Sequence, residues 1–127
     1  MIDIPETRIA AEIIDLLNDD LPAILLQIEE EAAESIRLLP FRYIGPPEEL
    51  QRGTALPYAL VEVLEGEYSE KDRIVKNRVY KVNVDVHCEK KKDLRMYYAG
   101  IEMVLGGKRF TVVRKSVDKG VEIKVRE

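Results

Sequence analysis

Residues 73–88 read RIVKNRVYKVNVDVHC, and from Tyr80 onward apolar and polar side chains alternate without a break. Successive side chains of a pleated strand point to opposite faces. Tyr80, Val82, Val84, Val86 and Cys88 therefore share one face, while Lys81, Asn83, Asp85 and His87 share the other. Residues 58–68, YALVEVLEGEY, have the same period, and Ser69, Glu70, Lys71 and Asp72 between the two runs make a polar turn. The pair predicts an antiparallel hairpin with strands longer than is usual for a domain of this size. Its apolar face must be covered, and this requirement organises the reading of the rest of the chain.

Working outward, residues 5–18 have helical spacing, with Pro5 in the first turn, Glu6 at the positive end of the dipole, and Ile9, Ile13, Leu16 and Leu17 on one stripe. Asn18, Asp19 and Asp20 predict a break. A second helix is expected from Asp20 as N-cap, with Pro22 in its first turn, through Leu25, Ile28, Ala32, Ile36 and Leu39. From Pro40 to Pro57, Gly45, Pro46, Pro47 and Gly53 predict a long loop without regular structure. Residues 92–105 resume helical spacing through Leu94, Tyr97, Tyr98, Ile101, Val104 and Leu105, and Gly106 and Gly107 stop it. RFTVVRKSV and VEIKVRE flank a turn at Asp118, Lys119 and Gly120 and read as two closing strands. The predicted order is α-α-β-β-α-β-β in a single domain spanning residues 1–127. Its class is α+β: an antiparallel sheet, dominated by the long hairpin, with helices packed on one face.

Composition bounds the function. At 127 residues, 46% hydrophobic and 35% charged, the chain has the balance of one folded globular unit. One cysteine makes no internal disulfide, and a reducing cytoplasm is the expected compartment. The N-terminal residues lack the pattern of a secretory signal, and no run approaches the roughly 18 apolar residues of a membrane span. The net charge of -4 hides a polarity: residues 1–53 hold 4 basic and 12 acidic side chains, residues 54–127 hold 16 and 12. Such polarity suits association of one copy's acidic part with another's basic part, and equally two solvated faces of a monomer.

The chain's only histidine and only cysteine adjoin, with Asp85 two positions before His87. An acid, a base and a nucleophile this close suggest catalysis, but strand alternation sends the Cys88 sulfur away from His87, out of hydrogen-bond reach. Cys88 is expected to be a small buried hydrophobe. One His and one Cys also fall short of a metal ligand set. The acids at Glu29, Glu30, Glu31 and Glu34 are read as a solvated helix face, so no catalytic, cofactor-binding or metal-binding residue is assigned. Lys90, Lys91 and Lys92 at a helix start offer a possible anion contact. The cluster resembles that on the last helix of double-stranded-RNA-binding domains, but that fold ends with this helix and two more strands follow here. The expectation is against nucleic acid.

Taken together, a short helical start, PYALVEVLEGEY, a polar turn, RVYKVNVDVHCE, a helix in DLRMYYAGIEMVL and a closing strand resemble the small tail-terminator and head-tail completion proteins of long-tailed bacteriophages and prophages. The similarity spans nearly the whole chain through diffuse motifs. Two features depart from that layout, the second N-terminal helix and an extra final strand. The resemblance implies a non-catalytic ring, usually of six copies, that caps the finished tail tube and meets the head, with the tail tube protein and head-tail connector proteins as partners. It implies residence in the cytoplasm during assembly and then in the virion. The hairpin around Glu67, Lys71, Arg73 and Lys76, and the loop from Gly45 to Gly53, are the segments expected at subunit or tube contacts. The alternative is a monomeric α+β binding module, with Lys90–Lys92 as its candidate contact for nucleic acid.

Overall fold

The computed structural model describes residues 5–32, 36–67, 79–106, 110–114 and 120–126. The elements are helix α1 (Pro5–Glu31), strand β1 (Tyr43–Gly45), a 3-10 turn (Pro47–Glu49), strands β2 (Tyr58–Glu67) and β3 (Val79–His87), helix α2 (Lys91–Leu105), and strands β4 (Phe110–Arg114) and β5 (Val121–Arg126). The class is α+β, with five strands in the order β1-β2-β3-β5-β4.

The alternation that predicted β3 is the alternation observed. Tyr80, Val82, Val84 and Val86 are buried, joined on the same face by Ala59 and Val61 of β2 and by Val121, Ile123 and Val125 of β5. The register sets these residues side by side, with Val61 opposite Val84, and Val82 opposite both Val63 and Ile123. Both helices pack on this face. Burying a Val, Leu or Ile side chain contributes roughly 1.5–3 kcal/mol, so this layer supplies most of the driving force.

The expected break in the N-terminal helix is absent: one 27-residue helix replaces the two predicted. The apolar residues Ile9, Ile13, Leu17, Leu21 and Leu25 recur every fourth position straight through Asn18-Asp19-Asp20, and all are buried. A proline inside a helix costs about 3 kcal/mol. Burial of the three leucines that flank Pro22 outweighs that cost. A four-residue step also advances the stripe by about 40° per turn, so the buried face winds around the helix. Ala10 and Ile14 accordingly face β2. Farther along, Leu21, Leu25 and Ile28 close on Gly100 of α2, where an added methyl would lie 3.1 to 3.5 Å from all three. The predicted continuation of helix to Leu39 also fails. Residues 36–40 run as an irregular segment in which Leu38 is buried and donates its N–H to the Glu29 carboxylate.

The second correction concerns the sheet, which is mixed rather than antiparallel. Inside the expected loop, Tyr43, Ile44 and Gly45 pair in parallel with Tyr58, Ala59 and Leu60. A parallel neighbour needs a crossover of about a dozen residues, and the segment between Gly45 and Tyr58, containing the 3-10 turn, provides it. Three residues hemmed by Pro46 and Pro47 are too few to show a strand period.

Strand ends are finished by particular groups. The pairing of β3 with β5 stops at Val84 and Val121. There Gly120, at φ +81°, lies so close to the chain that a Cβ would stand 2.6 Å from the Val84 carbonyl oxygen. Beyond that point the Val86 N–H donates to the Tyr98 hydroxyl of α2 at 3.1 Å. Tyr80, also buried, has a hydroxyl with no hydrogen-bond partner among the described residues.

The two tyrosines should respond oppositely to loss of the hydroxyl, because a buried orphan polar group costs about 1–3 kcal/mol. Tyr98→Phe orphans the Val86 N–H and is expected to lower unfolding free energy by that order. Tyr80→Phe removes an orphan and should leave stability unchanged or raise it. Urea denaturation of both variants provides the test, and a larger loss in Tyr80→Phe would contradict the hydrogen-bond assignment.

Candidate functional site

Because both helices occupy one face of the sheet, the other face has no layer over it among the described residues. Its rows follow from the register: Tyr58 opposite His87, Leu60 opposite Asp85, Glu62 opposite Asn83, and Leu64 opposite Lys81. Across β3, Lys81 stands beside Lys124 and Asn83 beside Glu122. Lys81 reaches the Glu122 carboxylate at 4.0 Å, a diagonal contact that joins the two strands. Leu64 is 38% exposed in this otherwise polar surface. The face is thus a mosaic of both charge signs with apolar residues along β2, a composition suited to contact with protein rather than with a polyanion.

The Asp-His-Cys stretch lies at one end of this face, and the structure separates its members as alternation requires. His87 Nε2 is 3.2 Å from Asp85 Oδ2, and the His87 ring stacks on Tyr58 with centroids 5.0 Å apart. Cys88 turns to the other side, where its thiol donates to the Lys90 carbonyl oxygen at 3.1 Å. Partial burial, and then the Asp93 carboxylate, raise the thiol above its ordinary value of 9.0. A thiol that holds its proton at neutral pH, without a base beside it, is not an activated nucleophile. Among the described residues, no group of three or more His, Cys, Asp or Glu side chains is placed to hold a metal ion.

Lys90, Lys91 and Lys92 stand together at the start of α2, Lys90 as its N-cap, and all three are exposed. A depression of about 240 Å³ beside them is lined by Arg37, Leu39, Leu56, Cys88, Lys90 and Tyr97, and also by Glu89 and Asp93. The two acids offset Arg37 and Lys90, which leaves little net positive charge with which to hold a phosphate. Tyr97 forms the wall. Its hydroxyl donates to the Leu39 carbonyl oxygen at 3.0 Å, and Phe41 lies 4.9 Å from its ring, so it ties the segment after α1 to α2. Burial first, and then the charges of Cys88 and Asp93, push this phenol from 10.0 up to about 12.

Of the hairpin residues expected at contacts, Glu67 ends β2 opposite Val79. Lys71, Arg73 and Lys76 lie outside the described residues. The loop from Gly45 to Gly53 is not featureless, since it holds the end of β1 and the 3-10 turn. Tyr43 fastens its start through a 2.6 Å hydrogen bond to the Pro46 carbonyl oxygen. Burial and the nearby Glu49 and Glu48 carboxylates raise the Tyr43 phenol.

What the sequence reading missed is the groove that this loop forms with α1 along β2. It encloses about 520 Å³ and is lined by Ala10, Ile14, Glu48, Glu49, Val61 and Glu62 among others. The dense acids and prolines at 46–49 were visible, but without β1 nothing placed them beside a strand edge.

Compared with protein-family models, curated proteins and solved structures, the chain matches none. No helix among the described residues is long and apolar enough to cross a membrane.

Two measurements check this chemistry. Cys88 should react with a thiol reagent at pH 7.5 several-fold more slowly in the folded protein than in urea; equal rates would show the sulfur free. The raised Tyr97 phenol contributes stability that is fully present below its unfolded value of 10.0 and is lost as pH rises toward about 12. The urea midpoint should therefore fall more steeply over that window in the wild type than in Tyr97→Phe.

Proposed function

We propose that this chain is a structural, non-catalytic subunit that assembles with copies of itself into a closed ring, capping a phage tail tube and joining it to the head. The observation that supports this most is the one-sided sheet: long strands β2 and β3 are covered by helices on one face and, among the described residues, open on the other. Such a layer offers a face and two edges to neighbours while both helices hold it rigid. Function then lies in shape and contact rather than in a reacting side chain.

The charge polarity between residues 1–53 and 54–127 provides a head-to-tail attraction, and a heterologous contact closes into a ring when its rotation fits. Tail tube and connector proteins are the partners this role requires. The chain would assemble in the cytoplasm and remain in the virion. Closure of the ring blocks further addition of tube subunits, so the mechanism is steric.

Absolute mass by light scattering, over a range of concentrations and at low and high salt, is the direct test. A single ring species, six copies by the resemblance, that weakens at high salt and shows closed rings under the electron microscope is the expected result. A monomer at every concentration overturns the proposal.

A further inference from the structure

The outer edge of the sheet is only partly closed. Strand β1 covers Tyr58, Ala59 and Leu60 of the ten-residue β2, and from Val61 onward no strand lies beside that edge among the described residues. An unpaired edge presents backbone N–H and C=O groups that an added strand satisfies. Pro46 and Pro47 keep β1 from continuing along it, since proline has no N–H to give to a ladder. Beside Val61, Glu62 and Val63 stands instead the groove of about 520 Å³ bounded by the first half of α1 and the 3-10 turn.

Its lining sorts into two parts. Ala10, Ala11 and Ile14 of α1 and Val61 and Val63 of β2 give an apolar floor. Ile14 and Val63 are only partly buried, so part of their apolar surface is uncovered. Around this floor stand Glu6, Glu48, Glu49 and Glu62, all exposed, and no Lys or Arg lines the groove. The rim is held in place, with the Tyr43 hydroxyl donating to the Pro46 carbonyl oxygen at 2.6 Å and the Leu50 N–H to that of Pro47 at 3.2 Å. A neighbouring group feels its negative field: after burial, the charges of Glu49 and Glu48 raise the Tyr43 phenol.

These features select the occupant. It is not a single metal ion, since among the described residues no group of three or more acids is placed to hold one. Four carboxylates repel a polyanion. A helix satisfies its own backbone and leaves the β2 edge unpaired. An extended chain pairs with that edge and places alternate side chains on opposite sides of the sheet. One set then meets Ile14 and Val63 on the helix side, and the other lies beside Glu62 on the open side.

We infer that the groove receives an extended segment of a partner protein, with apolar and basic side chains alternating along it, as an added strand on the outer edge of β2. The apolar residues cover Ala10, Ile14 and Val63, and lysine or arginine meets the Glu48, Glu49 and Glu62 carboxylates. This goes beyond the ring reading and does not depend on it, because the groove is formed within one copy.

The probe is a short fluorescein-labelled peptide of alternating valine and lysine, followed by fluorescence polarisation at low salt. Its binding is compared between the wild type and a variant carrying Glu48→Gln, Glu49→Gln and Glu62→Gln, whose fold is checked by circular dichroism and the urea midpoint. The wild type should bind saturably and at least about tenfold more tightly than the variant. A second peptide with the same charges but every backbone nitrogen methylated should lose binding by a similar factor, having no backbone N–H to give to β2. The amide NMR signals of Val61, Glu62 and Val63 should shift with the first peptide and not with the second. Equal binding by wild type and variant removes the part assigned to charge, equal binding of the two peptides removes strand pairing, and either overturns the inference. No binding to the wild type also overturns it, and if the triple substitution then lowers self-association in light scattering, the occupant is a second copy. Ring formation is read separately by the mass measurement, so either proposal can fail alone.

Discussion

Strand β3 is paired on both sides, with β2 and with β5, and its residues Val82 and Val84 have no accessible surface. Its apolar face must be kept from water along its whole length, and among the described elements the two helices are the ones that cover it. Strand pairing alone does not bury that face. The winding stripe of α1 lets one helix serve both needs, with its first half over β2 and its second half against α2 at Gly100.

The same arrangement explains why the other face and the edges remain open. The two helices cover one side of the five-stranded sheet, and among the described residues no element lies over the second. The α2 connection carries the chain from β3 past the position of β5 to β4, so the last hairpin fills the gap and then leaves β4 at the border. At the other border, β1 ends after three residues because Pro46 and Pro47 cannot continue pairing as strand residues. The openness of the β2 edge follows from that early stop. The exposed surfaces of the sheet, among the described residues, arise from where the covering elements run out.

Much of this was legible. Period-two alternation located β2, β3 and β5, and helical spacing located α2 to within one residue at its start. The separation of Cys88 from His87 followed from alternation alone, and the thiol's bond to the Lys90 carbonyl agrees with it. The errors occurred where local chemistry and long-range packing disagreed. Asn18, Asp19, Asp20 and Pro22 form a strong local stop signal, yet the leucines on either side are buried and carry the helix through. In the opposite direction, Ile36 and Leu39 keep a helical spacing that the chain does not use. Leu38 is the buried residue there, and Tyr97 draws Leu39 in by its carbonyl rather than by its side chain.

The sequence by itself determined the α+β class, the hairpin, the inward face of each long strand and the charge polarity. These depend on periods of two and 3.6 residues, which are properties of the local backbone. Only the tertiary structure decided that α1 is continuous, that β1 joins β2 in parallel, that Tyr98 finishes the β3 edge, and that an acidic groove opens beside β2. Each of those depends on residues far apart in the chain competing for the same buried area or the same backbone group, and no local period records the outcome of that competition.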